Sequence, residues 1–273
     1  MFNLFAEMIT YPFIMRALIV GTLVSLCAAL LGVSLVLKRY SMIGDCLSHV
    51  AFGAMAIALV LGTAPLTVGI PIVVLSAFMI LRLSENGKMK GDAVIALISS
   101  SALAIGVMSI SIKSGMNTDI CNYMFGSILA MSHSDVHLSI ILSIIVLILF
   151  VIFYNKIFAV TFDESFAKAT GTNTELYNML IAALTSITIV IGMRMMGALL
   201  ISSLIIFPTL SSMRVCKRFK TVIISSAIIS TLCFFLGMGV SYIFSTPTGS
   251  SIVCLNIIVF LTMFSIGKII EKR

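Results

Sequence analysis

The chain has 273 residues, of which 60% are hydrophobic and 10% charged, and a formal net charge of +7; its mean hydropathy is +1.21. A soluble domain carries about 25% charged residues, so this composition excludes a soluble enzyme and points to an integral membrane protein. The basic excess sits at the ends of apolar runs, where it acts as a topology signal rather than as a nucleic-acid-binding face.

Nine apolar segments follow in chain order, approximately 14–37, 41–62, 64–82, 92–112, 136–155, 177–193, 195–213, 221–244 and 250–267. Most reach the roughly 18 residues of a spanning helix, whereas a β-barrel would show short alternating segments. The opening residues Met1–Glu7 lack the basic region of a secretory signal, so the first run reads as a helix. The junction Gly192–Gly197 is short enough that eight to ten spans fit the same sequence. The expected fold is therefore an all-α polytopic bundle of about nine spans, one transmembrane domain over residues 1–273.

Fourteen of the seventeen Lys and Arg residues fall on one set of alternate loops, among them Lys38, Arg39, Arg82, Lys88, Lys156, Lys168, Arg214 and Lys268; Arg16, Lys113 and Arg194 fall on the other. Basic loops face the cytoplasm. This split predicts an N-terminus outside and a C-terminus inside. Tyr11, Tyr40, Tyr154, Tyr177 and Tyr242 lie near predicted helix ends, as interfacial anchors do. The six cysteines form no Cys-x-x-Cys pair, and most sit in apolar runs as small hydrophobes.

The second segment opens Lys38-Arg-Tyr-Ser-Met-Ile-Gly-Asp-Cys-Leu-Ser-His49. Asp45 and His49 are four apart and share a helix face. At 1.5 Å per residue, His49 lies roughly 12–15 Å inward of Tyr40, near the bilayer midplane. Ionisable groups at that depth mark substrate or ion pathways. A carboxylate and an imidazole suit zinc, manganese or iron(II), with further ligands supplied from elsewhere. A purely structural pair, with Asp45 as a helix cap, is the plainer alternative. Metal binding requires the neutral imidazole, so uptake through such a site is expected to weaken as His49 takes up a proton.

A second candidate, on the outer loop before the fifth segment, is His133-Ser-Asp-Val-His137. His133, Asp135 and His137 would align as metal ligands if extended, but the same residues also read as a solvated, helix-capping loop. After the fifth segment, Val160–Gly171 reads as one short amphipathic helix with Phe162, Phe166 and Ala169 on one side and Gly171 as its stop. Asp163 and Glu164 disfavour anionic lipid, which leaves docking into a partner's groove. Pro208 lies inside the seventh segment, where a kink or simple packing accounts for it. Gly197 precedes that segment with small residues suited to close helix contact. The chain has no Gly-x-x-x-x-Gly-Lys-Ser/Thr and no Gly-x-Ser-x-Gly, so neither ATP hydrolysis by a phosphate loop nor an enzyme reading has residues to stand on.

In these residues the chain resembles the membrane permeases of bacterial ABC transporters that import manganese, zinc or iron and work with cluster A-I metal-binding proteins. The most specific piece is Arg39–His49, similar to Arg-x-Ser-hydrophobic-x-Gly-Asp-x-Leu-Ser/Ala-His. Further matches are Phe125-Gly-Ser-Ile-Leu-Ala130, Phe162-Asp163 with Ala167 and Gly171, Gly197-Ala-Leu-Leu with Pro208, and Pro247-Thr-Gly249-Ser-Ser-Ile-Val.

The resemblance implies a bacterial cytoplasmic-membrane permease paired with a second copy and with a cytoplasmic ATPase. An extracytoplasmic metal-binding protein would dock outside. It implies that Asp45 and His49 coordinate the transported metal, and that Phe162, Asp163, Glu164, Phe166, Ala167 and Gly171, within about 160–175, couple to the ATPase. ATP would bind on the partner subunit, with no cofactor held permanently here and no nucleic acid involved. Ser245-Thr246 stands where the family often has an acidic residue before Pro-x-Gly. The alternatives are an ABC permease for a metal chelate such as a siderophore and an autonomous cation transporter.

Overall fold

The computed structural model describes residues 12–86, 91–114, 126 and 133–271. The regular structure among them is helical: α1 (Pro12–Leu37), α2 (Ser41–Leu61), α3 (Pro65–Asn86), α4 (Gly91–Ser114), α5 (His133–Ile152), α6 (Tyr154–Phe162), α7 (Glu164–Ala169), α8 (Thr174–Met196), α9 (Ala198–Val215), α10 (Phe219–Phe244) and α11 (Thr248–Glu271). Nine of these, all but α6 and α7, are long and apolar enough to cross a membrane. Gly197 alone separates α8 from α9, so the short junction does hold two helices. Its backbone adopts φ 85°, ψ 162°, a conformation open essentially to glycine.

Hydrocarbon as solvent explains what faces out and what faces in. Met108, Ile112 and Val151 are exposed, since lipid tails are as apolar as they are. The interior is rich in small and hydroxyl residues, with Ser25, Ser48, Ser186, Ser226 and Ser230 fully buried. Helix α1 packs among α5, α8, α9 and α10, while α2 packs chiefly on α3 and α4. Glycine sets the α2–α4 distance. A Cβ on Gly53 would stand 2.7 Å from the Ala102 carbonyl oxygen, and one on Gly106 would stand 2.6 Å from the Phe52 ring.

Contacts between helix ends sort the bundle into two faces. Lys38 meets Glu164, Arg82 lies 4.0 Å from Glu175, and Tyr154 and Phe219 stack at 5.8 Å. These gather the basic ends of α1 and α3 with the short helices α6 and α7 and the starts of α8 and α10. At the opposite ends, Arg16 meets His133 and Arg194 meets Asp135.

Two local expectations change. The segment 160–171 is two helices rather than one. Asp163 is extended at φ −146°, ψ 94°, and its carboxylate accepts the Phe166 amide hydrogen, capping α7. That cap interrupts the helix that periodicity alone would run through. Gly171 does end α7, at φ +80°, with the Thr172 amide bonded back to the Ala167 carbonyl at 2.9 Å, as a left-handed cap requires. Second, His133–His137 is the first turn of α5 and not a loop. Helix α9 continues through Pro208.

Replacing Gly53 with alanine should push α2 off α4 and lower stability by about 1–3 kcal/mol, the usual cost of overpacking. Thermal unfolding of the detergent-solubilised protein measures this, and an unchanged midpoint would show that the two backbones are not in contact.

Candidate functional site

Asp45 and His49 lie one turn apart on α2, both half-buried. Their neighbours Gly44, Cys46, Leu47, Ser48 and Val50 are buried, so the pair occupies the stripe of α2 that the bundle leaves open. His49 Nδ1 lies 2.9 Å from Ser99 Oγ on α4. That hydroxyl orients the ring and leaves Nε2 with no hydrogen-bond partner among the described residues. Nor does any described cation or donor meet the Asp45 carboxylate. Next to it, the Cys46 thiol donates to the Ile95 carbonyl at 3.4 Å. The Ser48 hydroxyl donates to the Asp45 carbonyl at 2.7 Å.

A cleft of about 270 Å³ between α2, α3 and α4 has Val50 and Ile98, the chain neighbours of His49 and Ser99, in its lining. Gly53, Ala54, Ile72 and Ile105 line it, with the Ser76 and Ser101 side chains adding polarity. Such walls offer a cation two serines and no charged side chain. The described residues contain no group of three or more His, Cys, Asp and Glu side chains able to hold a metal. Asp45 and His49 therefore form a pair of potential ligand side chains, with no third of these types grouped with them among the described residues.

The other candidate does not converge. Because His133, Asp135 and His137 sit on the opening turns of a helix, Asp135 points away from the side that His133 and His137 share. Arg16 Nη1 donates to His133 Nε2 at 3.0 Å. Asp135 lies 3.7 Å from Arg194, both side chains 14% exposed. These bonds tie α1 to α5 and α5 to α8. The pattern gave no sign of either guanidinium, because both partners are far off in the chain.

Near that end of the bundle, three of the motif regions meet. Gly126, Met195, Met196, Thr248, Gly249 and Ile252 surround a void of about 20 Å³. Gly126 has φ +81°, and a Cβ there would fall 2.3 Å from the Met196 carbonyl carbon. The rest of Phe125–Ala130 lies outside the described residues. The turn after α10, with Ser245 and Thr246 in place of an acidic residue, is held by hydroxyls: Ser241 donates to the Thr246 carbonyl at 2.6 Å, and Thr246 and Ser251 hydroxyls lie 2.7 Å apart. Pro247 is exposed in it, and Gly249 is buried in the first turn of α11.

At the basic face, α6 and α7 present Phe162 and Phe166 outward, 59% and 64% exposed, while Ala167 is fully buried. Phe158, Phe162 and Phe219 stack on one another, with centroids 5.0–6.1 Å apart. Asp163 serves as the α7 cap. Glu164 turns inward to Lys38 and Asn178. The side chain of Lys38, which reads in the sequence as a topology charge, is only 8% exposed, and Asn178, which no pattern marked, is buried.

The whole chain has known counterparts. It is 30% identical over 257 residues to the manganese import system permease protein ScaB of Streptococcus gordonii, covering 94% of this chain and 92% of that one. It is 28% identical over 251 residues to the high-affinity zinc uptake system membrane protein ZnuB of Haemophilus influenzae, covering 92% and 96%. Among solved structures, a chain of PsaBC from Streptococcus pneumoniae in complex with Fab superposes with a TM-score of 0.87 at 29% identity, covering 97% of this chain and 95% of that one. Residues 10–267 match the profile of the ABC 3 transport family, and with that span and that fold the chain belongs to this family.

Proposed function

We propose that the chain is the permease subunit of an ATP-driven importer of a divalent transition metal, with its N-terminus outside and its basic face in the cytoplasm. Membership of the ABC 3 transport family supports the transport class, and the manganese and zinc systems to which ScaB and ZnuB belong support the substrate class. The observation that carries the pathway is the half-buried Asp45 carboxylate. It meets no cation among the described residues, and it sits one turn from an imidazole that Ser99 orients. A charge left unpaired in a membrane span is costly unless something charged passes it. The metal would move past Asp45 and His49, with water, backbone or a second copy of the chain completing its shell. The ATPase would seat on α6 and α7, where Phe162 and Phe166 form an exposed aromatic face, and an extracytoplasmic metal-binding protein would deliver the metal at the opposite face. Lysines and arginines concentrated at one end support that orientation.

The test is uptake of labelled manganese and zinc by vesicles holding the chain with its ATPase and binding protein. Asp45→Ala and His49→Ala should each cut uptake of the transported metal by more than about 100-fold, beyond the 10–100-fold typical of an outer-shell change. Undiminished uptake in both would make the pair structural.

Phe166→Asp should leave the bundle intact, since the side chain is 64% exposed. It should weaken ATPase association by about tenfold or more, as loss of an aromatic anchor does. Co-purification of the two subunits reads this out; full retention would remove α7 from the interface.

A further inference from the structure

The segment that the ATPase would grip is fastened to the bundle by a closed ring of three polar side chains. Lys38 follows α1, Glu164 opens α7 and Asn178 lies early in α8. Lys38 Nζ donates to Glu164 Oε2 at 3.0 Å and also to Asn178 Oδ1. The Asn178 amide in turn donates to Glu164 Oε1 at 2.9 Å. Each member touches the other two, although Lys38 is 126 and 140 residues from its partners.

Burial makes the ring hard to replace. The Lys38 side chain is 8% exposed, and that of Glu164 is 46% exposed. A cation buried to that degree must be met where it lies, so the carboxylate is drawn in from the surface, bringing α7 with it. The rest of the attachment is thin: Ala167 is the one buried residue of α7, and the following turn is tied by Lys156 to the Thr172 hydroxyl at 3.4 Å.

On the other side of the ring lies the α1–α2 corner. Arg39 turns the chain there at φ 61°, with the Tyr40 amide bonded to the Leu35 carbonyl at 2.8 Å. Helix α2 starts at Ser41, so Asp45 is about one turn further on. A tight corner closed by that bond and by the Arg39 amide on the Val36 carbonyl at 3.1 Å passes a displacement of Lys38 into α2 rather than absorbing it.

We infer that the Lys38–Glu164–Asn178 ring is the link by which movement of α7 reaches α2 and its Asp45/His49 pair, and that these three are positioning residues for transport. The inference rests on the proposed reading of α6 and α7 as the ATPase contact.

The test uses the complete transporter in vesicles, with ATP hydrolysis and manganese and zinc uptake measured on the same sample. Glu164→Gln keeps shape and exposure, Lys38→Met removes the cation, and the double exchange Lys38→Glu with Glu164→Lys reverses the pair. The Asn178 amide can turn over to serve either polarity.

The expected result is that the subunits co-purify, hydrolysis stays within about twofold, and metal moved per ATP falls about tenfold or more in each single variant but recovers in the exchange. A lost fastening that mattered only for folding would lower hydrolysis and uptake together and leave their ratio alone. Three results overturn the inference: a wild-type ratio in Glu164→Gln, hydrolysis and uptake falling in proportion, or no recovery in the exchange. Glu164→Gln decides the matter even where Lys38→Met does not fold. Failure of the coupling reading itself shows elsewhere, as an ATPase that still co-purifies with Phe166→Asp.

Discussion

Inside a bilayer no water is available to bond a polar group, so each one must find its partner within the protein. The backbone answers with helices, and most of the buried hydroxyls answer in two ways, with those of Ser34, Ser139, Thr161 and Ser203 left without a bond among the described residues. Some bond back along their own helix, as Thr185 does to the Ile181 carbonyl and Ser186 to that of Ala182, both at 2.7 Å. Others cross to a neighbour, as Ser230 does to the Ser25 carbonyl at 3.0 Å and Ser226 to that of Ala29 at 3.4 Å. Small hydroxyl residues serve both packing and bonding, and α1 can therefore lie buried against α10 without an unmet carbonyl or hydroxyl at these points.

Against that background the charged groups divide clearly. Lys38 is met by Glu164 and Asn178, and Asp135 by Arg194. These pairs fasten the two ends of α8 to other helices, since Asn178 lies at one end and Arg194 at the other. Asp45 is the contrasting case: it lies on an open stripe with no described cation beside it. The structural carboxylates described here meet a base, as Asp135 does, or a backbone amide, as Asp163 does; Asp45 meets neither among the described residues, and that contrast supports the ion pathway proposed there.

The span pattern was legible because nine apolar runs are a one-dimensional signal set by bilayer thickness. Helix boundaries fell within a few residues of expectation, and Gly171 was readable because a helix stop there needs φ > 0. The break at Asp163 was not legible. An aspartate fits the polar side of an amphipathic helix as well as it fits a cap, and only the bond from the Phe166 amide decides between them. The alternation of His133, Asp135 and His137 suggested an extended ligand set, but an apolar run just beyond it draws those residues into α5. Ser99 was invisible, as one serine in an apolar run bordered by two more, and its bond to His49 spans 50 residues.

Lys38 shows how one residue can satisfy two constraints. As a charge at a helix end it contributes to the bias that orients the chain. Its side chain nevertheless folds inward, because the ring of Glu164 and Asn178 replaces the water it would otherwise need. Arg39, its neighbour in the same basic step, instead occupies the left-handed corner. A purely topological lysine would be free to reach into the headgroups, and burying it gains nothing for orientation. The burial has to be accounted for by what Lys38 holds, and what it holds is the first residue of α7.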